Sequence, residues 1–163
     1  MKRAVYPGTF DPITLGHLDI IKRATTIFDE VIVAVAKRPS KSVLFSFAER
    51  LKIVERAVKN LKKVKIEGFS GLVVEFAKKK KASCIIRGLR LLSDFEYEFQ
   101  MALTNRKIAP QIETIFLMAH QEYSYISSSL VKEAVFLGAN LKELLPKPAW
   151  VALKRKINEG FSR

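Results

Sequence analysis

The stretch Tyr6-Pro7-Gly8-Thr9-Phe10-Asp11-Pro12-Ile13-Thr14-Leu15-Gly16-His17 gathers small residues, hydroxyls and one imidazole at the point where a short apolar run gives way to an amphipathic one. Backbone N–H groups at the start of a helix lack intrahelical partners, and the helix dipole favours negative charge there, so this composition suits a phosphate. Gly16 lets a phosphate approach the backbone closely. A glycine-histidine pair at a helix start also occurs as plain structure, and by itself the pattern leaves both readings open. Neither Gly-x-Gly-x-x-Gly nor a Walker lysine is present, which argues against a dinucleotide dehydrogenase and a P-loop ATPase.

A second group follows the apolar run Ser83 to Ile86: Arg87 and Arg90, three apart, each with a planar fork suited to phosphate oxygens. A third is the hydroxyl-rich stretch Tyr123 to Ser129, where Ser127 can cap a helix whose first N–H groups are again open to an anion. No convincing Ser-His-Asp or Cys-His set accompanies them. The single cysteine, Cys84, sits beside Ile85 and Ile86 and reads as a buried, unreactive thiol. His120 has no motif around it and reads as an exposed loop residue.

The elements that must carry these groups follow from periodicity. Apolar runs at Arg3 to Tyr6, Val31 to Ala36, Val64 to Glu67, Ser83 to Ile86 and Glu113 to Leu117 read as strands. Val31 to Ala36 is apolar throughout, as in a parallel strand covered on both faces. Between the strands lie helical stretches: Leu15 to Phe28, Ser46 to about Asn60, Leu72 to Lys80, and Ser93 to about Ile108. Ser46 with Glu49 and Ser93 with Glu96 have capping-box spacing, and Pro110 stops the fourth helix. Two more helices follow, one capped by Ser127 and running to about Leu137, one with Pro148 in its first turn. Five strands alternating with helices predict an α/β fold, a doubly wound parallel sheet of Rossmann type, in which ligands bind beyond the carboxyl ends of the strands. The search for a site therefore narrows to the loops after Tyr6, Ala36, Gly68, Ile86 and Leu117.

The 163 residues fit one domain, with no visible linker. Apolar residues make up 48% and charged residues 28%, which excludes a disordered chain. One cysteine excludes an internal disulfide and a multi-cysteine metal cage and suits a reducing, cytoplasmic compartment. No apolar run reaches the length of a membrane span, and the N-terminus meets Pro7 and Gly8 before any secretory core, so no membrane association is expected. The formal charge of +13 calls for anionic partners. Residues 37 to 81 hold 14 of the 29 positive charges against 4 of the 16 negative ones, a block that could serve nucleic acid. It lacks interleaved aromatics, and Lys78 to Lys81 fall at a helix end where cations suit the dipole, so the reading is a solvated face with no nucleic-acid partner.

Taken together, the motifs identify a resemblance. Thr14-Leu15-Gly16-His17 is similar to the signature of the nucleotidyltransferase superfamily that carries His-x-Gly-His, in the variant with Thr first that marks the bacterial phosphopantetheine adenylyltransferases. Tyr6 to Ile13, Pro39-Ser40-Lys41, Arg87-Gly88-Leu89-Arg90, Asp94 to Glu98 and Ile126 to Glu133 resemble further blocks of that family, in its order, across nearly the whole chain. Leu15 stands where the family commonly has Asn, and Gly71 where it often has an acidic residue. A cytidylyltransferase or a nicotinate or nicotinamide mononucleotide adenylyltransferase would share Gly16-His17; the Arg87 to Glu98 and Tyr123 to Ile126 blocks favour the phosphopantetheine enzymes.

The resemblance implies transfer of the adenylyl group of ATP to 4'-phosphopantetheine, giving dephospho-coenzyme A and pyrophosphate in coenzyme A biosynthesis. It implies that His17 donates to the α-phosphate, and that Thr9 and Phe10 place substrate and ATP phosphates. Lys41 and Arg87 would meet the phosphate of phosphopantetheine, and Leu72 and Val73 its arm. Gly88, Leu89, Arg90 and Glu98, with Tyr123, Ser124, Tyr125, Ile126, Ser127, Ser128 and Ser129, would line the ATP site. It further implies Mg2+ carried with ATP and no protein metal ligand, a homohexamer, and feedback by coenzyme A.

Overall fold

The computed structural model describes residues 1–39, 42–90 and 92–161. Its strands are β1 (Arg3–Gly8), β2 (Glu30–Ala36), β3 (Val64–Phe69), β4 (Cys84–Leu89) and β5 (Glu113–Met118), all parallel in the order β3-β2-β1-β4-β5. The helices are α1 (Leu15–Ile27), α2 (Phe47–Val58), α3 (Val73–Lys79), α4 (Leu92–Ile108), α5 (Ser128–Phe136) and α6 (Lys147–Phe161), with short 3-10 turns at Gln121–Tyr123 and Lys142–Leu144. This is the doubly wound α/β architecture that the alternation of runs predicts.

Side-chain alternation along the strands divides the interior in two. Ala4, Tyr6, Val31, Val33, Val35, Cys84 and Ile86 face one layer, which Ile20, Ile21 and Ala24 of α1, Val54 of α2 and Leu153 of α6 fill. Val5, Ile32, Ala34 and Ile85 face the other, against Val74 and Ala77 of α3 and Ala109 and Ile112 after α4. Residues of one strand that point to opposite faces are both buried, which is why β2 reads as an unbroken apolar run.

The strands extend further at their carboxyl ends than the apolar runs do. Gly8 pairs with Val35, Phe69 with Ala36, and Leu89 with Met118, so Pro7, Gly8, Gly88 and Leu89 belong to strands rather than loops. Backbone pairing with a neighbour continues where side-chain hydrophobicity has already stopped, and hydropathy cannot register it. The other correction concerns α4. It begins at Leu92, so Ser93 lies inside the helix rather than capping it; Arg90 reaches over this start to pair with Asp94 at 3.0 and 3.1 Å. Ser-x-x-Glu spacing fits a helix interior as well as a cap. Similarly, α3 starts at Val73 with Leu72 as a cap residue that makes no side-chain bond.

Sheet order creates the crevice. β1 pairs with β2 over six residues but with β4 only at Ala4 and Val5. The chain winds outward from β1 to β3 and then crosses to the other side of β1, so the order reverses between β1 and β4, and there the two strands diverge.

Candidate active site

A cavity of about 760 Å³, within the range of small-molecule sites, opens at this reversal. Of the residues singled out from the sequence, Thr9, Phe10, His17, Leu72, Val73, Arg87, Gly88, Arg90, Glu98 and Ser127 to Ser129 line it. Leu89, Tyr123, Ser124, Tyr125 and Ile126 do not. Ile126 is buried at 3% exposure, Tyr125 stands out in solvent, and Tyr123 packs beside Gly16. Lys41 and Ser40 lie outside the described residues; Pro39, just before them, lines the cavity.

At the amino end of α1, Thr14 and His17 form a reciprocal cap. The Thr14 hydroxyl accepts from the His17 N–H at 3.4 Å, and the Thr14 N–H donates to His17 Nδ1 at 3.1 Å. The hydroxyl also lies 2.9 Å from Nδ1. A nitrogen that accepts a backbone N–H bond carries its lone pair, so the proton of the neutral ring sits on Nε2. The ring meets Phe10 edge-on, centroids 5.2 Å apart, and Phe10 meets Tyr6 at 5.7 Å. Phe10 has a positive φ of 51°, and its ring lies so close over Gly8 that a Cβ there would fall 2.7 Å from it. Only glycine fits beneath that ring.

Three of the cavity's cations, Arg87, Arg90 and Lys132, are held by carboxylates. Glu98 takes Arg87 through both Nε, at 2.6 Å, and Nη2. Burial alone would lower the pKa of the Arg87 guanidinium, but Glu98 overcomes it and the value is raised. Arg90 is bidentate to Asp94 and donates through Nη1 to the Ile126 carbonyl at 3.1 Å, which ties β4 to the loop before α5. Lys132 pairs with Asp11, itself buried at 3% exposure. Ser127 caps α5 by accepting from the Leu130 N–H at 3.2 Å, and Ser128 donates to the Pro12 carbonyl at 2.9 Å. Burial raises the Tyr6 pKa, keeping that phenol neutral on the cavity wall.

Several lining residues escaped the sequence reading. Met101 and Asn105 are two of them: at spacings of three and four they continue the stripe of α4 that Asp94 and the already named Glu98 begin, turned to the cavity. That periodicity was a usable signal; the low apolar content of the stripe hid it. Lys132 follows Ser128 by one helical turn and could have been found the same way. Arg38 and Asp11 carry no such local mark. The bland readings of Cys84 and His120 hold: Cys84 is buried, with burial pushing its thiol up to about 11, and His120 is exposed.

Among the described residues no cluster of three or more His, Cys, Asp or Glu side chains could hold a metal ion. The carboxylates in the cavity, Asp11, Asp94 and Glu98, are each engaged by a cation. The donor set therefore does not fit a protein-held divalent cation.

Comparison with known proteins gives the family. The cytidylyltransferase-like family matches residues 5–134. A phosphopantetheine adenylyltransferase of Desulfitobacterium hafniense is 57% identical over 156 residues, 96% of each chain. The chain belongs to the phosphopantetheine adenylyltransferase family. A member from Clostridium botulinum is 52% identical over 158 residues, covering 97% of this chain and 96% of its own. Outside the family, the fold is shared with a candidate nicotinate-nucleotide adenylyltransferase from Vibrio parahaemolyticus, TM-score 0.71 at 18% identity, over 94% of this chain and 99% of that one. A lipopolysaccharide core biosynthesis protein from Thermoplasma volcanium aligns with TM-score 0.56 at 22% identity, over 74% of this chain and 98% of its own. Among the described residues no helix is long and apolar enough to cross a membrane.

Proposed function

We propose that the cavity binds ATP and 4'-phosphopantetheine and catalyses adenylyl transfer between them, giving dephospho-coenzyme A and pyrophosphate. The observation that carries the chemistry is the His17 cap, which commits Nδ1 to Thr14 and leaves the ring proton on Nε2 at a helix amino end. An oxygen of the acceptor phosphate attacks the α-phosphorus of ATP, a new P–O bond forms, and the α–β bridging bond breaks, its electron pair leaving with pyrophosphate. A phosphate monoester has its second pKa at about 6 and is mostly dianionic at neutral pH, so no general base is required. Alignment of two anions and stabilisation of growing negative charge are what the reaction needs.

His17 donates from Nε2 to a non-bridging α-phosphate oxygen, and the amino end of α1 adds its dipole. Thr9 and Phe10 contact phosphates of both substrates. Arg87 and Arg90 each have five N–H donors, more than their carboxylates use, and reach phosphate oxygens while Glu98 and Asp94 hold their planes. Lys41 joins Arg87 on the acceptor phosphate, and Leu72 and Val73 receive the pantetheine arm. Gly88, Leu89, Glu98 and residues 123 to 129 form the ATP side. Magnesium carried by the ATP phosphates would neutralise part of the triphosphate charge, and no described residue is assigned as its ligand.

Coenzyme A contains the same pantetheine arm and acts as a feedback inhibitor at this cavity. Assembly as a homohexamer is supported by the half-exposed stripe Phe95, Phe99 and Leu103 on α4, beside the edge strand β5. A reducing, cytoplasmic location suits the one buried thiol. The decisive experiment incubates the purified protein with Mg-ATP and 4'-phosphopantetheine and follows pyrophosphate, with CTP and nicotinamide mononucleotide as alternative substrates. Pyrophosphate release with ATP and phosphopantetheine is expected; turnover only with CTP or with the mononucleotide overturns the reading.

A further inference from the structure

Arg50, in the first turns of α2, is 1% exposed, yet among the described residues no carboxylate forms an ion pair with it. Its guanidinium spans two backbone segments instead. Nη1 donates to the Thr9 carbonyl at 2.7 Å and Nε to the Phe45 carbonyl at 3.2 Å. The Phe47 ring lies beside it, 5.9 Å away. The same two segments are tied in the opposite sense by Asp11, whose carboxylate accepts from the N–H groups of Leu44 and Phe45, both at 2.9 Å. Phe45 is thus gripped at both ends of its backbone, its N–H by the loop after β1 and its C=O by the side chain that also holds that loop.

A buried charge without a direct counter-charge is costly, and an apolar side chain of similar volume would pack as well. What only the arginine offers is a rigid planar fork that fixes two carbonyls relative to each other. The position is anchored from below, because Ser46 and Glu49 form a capping box at the start of α2 and Glu49 takes Lys156 of α6 at 3.0 Å. One arm of the fork thus holds Thr9, next to Phe10, whose ring packs on His17. The other arm holds Phe45, whose N–H is taken by Asp11 of the same loop.

We propose that Arg50 is a positioning residue for adenylyl transfer: it locks the Thr9–Phe10 loop to Phe45, just before α2, and so sets where Thr9 and Phe10, and through Phe10 the His17 ring, stand against the reacting phosphates. This rests on the adenylyl-transfer reading above. The rest of the cavity can still bind both substrates when the lock is loosened, but the nucleophile and the α-phosphorus no longer meet at the productive distance.

The test uses the full chain carrying Arg50→Lys, which keeps the charge and loses the fork. Measured are kcat and KM for both substrates by pyrophosphate release, binding of ATP alone by calorimetry, and the thermal melt. The expected result is a fall in kcat at saturation of about 10- to 100-fold, the size of effect that a small misplacement produces. ATP affinity and both KM values should stay within about threefold, with a cooperative melt. If Arg50→Lys does not fold, Arg50→Gln, which keeps one carbonyl bond, is judged by the same numbers. A kcat per ATP-binding site within about threefold of the parent overturns the role, as does a loss confined to KM. Parent protein that releases no pyrophosphate overturns the adenylyl-transfer reading itself, so the two failures are told apart.

Discussion

Replacing His17 separates the two jobs that the structure gives it. In His17→Ala the Thr14 N–H loses its acceptor, the capping box loses one of its two bonds, and the edge contact with Phe10 at 5.2 Å disappears. Loss of a cap bond costs about 1 kcal/mol and loss of an aromatic contact about 0.5 to 1.5, so stability should fall by about 1.5 to 2.5 kcal/mol. For a chain of this size that lowers Tm by about 3 to 10 °C. The catalytic loss is larger: removing one donor to developing negative charge costs about 10² to 10³ in kcat, while the KM for ATP moves little. His17→Glu provides the contrast. Glutamate at this position completes a capping box with Thr14, so the melt should recover by about 1 kcal/mol relative to the alanine variant. Its carboxylate has no proton to donate and repels the α-phosphate, so kcat should be no higher than in the alanine variant. Differential scanning calorimetry and pyrophosphate-coupled kinetics on the two variants check both halves. A folded His17→Ala protein that keeps kcat within about threefold, under 1 kcal/mol of lost stabilisation, would show that His17 is structural.

Gly8→Ala pushes a methyl to 2.7 Å from a Phe10 ring that is 2% exposed, so it should cost about 1 to 3 kcal/mol in a urea melt and lower kcat by disturbing His17; a neutral melt would contradict the close packing. The Glu30 carboxyl is held below its ordinary value by hydrogen bonds from Lys65 and then Arg3, and that of Glu49 by Lys156 and the Ser46 N–H. Groups with depressed folded pKa values stabilise above their unfolded value, near 4.5, and lose that contribution as pH falls through the folded one, so urea stability should decline on acidification below about pH 4.5. A stability that rises below pH 4 would refute the assignment. Burial holds the Cys84 thiol up at about 11, so iodoacetamide at pH 8 should label the unfolded chain and spare the native one; rapid native labelling, followed by mass spectrometry, would count against it.

Ser46 with Glu49 and Ser127 before Leu130 were legible as caps, because a cap is a bond between residues three apart and the chain itself carries both partners. Ser93 with Glu96 has the same spacing, yet α4 already begins at Leu92, so Ser93 falls within the helix and the spacing alone does not tell a cap from an interior pair. The phosphate loop was legible as far as His17. The reciprocal cap between Thr14 and His17 was not read from the sequence, and the proton position on the ring needed the Thr14 N–H to Nδ1 bond.

What the sequence determined by itself is whatever rests on short-range spacing: five apolar runs that had to be strands, amphipathic stretches between them, and a Thr-x-Gly-His helix start suited to phosphate. Tertiary structure decided the rest. Asp11 meets Leu44 and Phe45 from 33 and 34 residues away, Arg87 meets Glu98 across the turn into α4, Arg50 is buried against Thr9 over a separation of 41, and Lys132 reaches back 121 residues to Asp11. A polar side chain looks the same in sequence whether it is solvated or paired, because its partner is chosen only when the sheet order brings distant loops to one edge. The divergence of β1 from β4 after two paired residues, which opens the cavity, is likewise a property of how helices on both faces pack the sheet, and no local pattern encodes it.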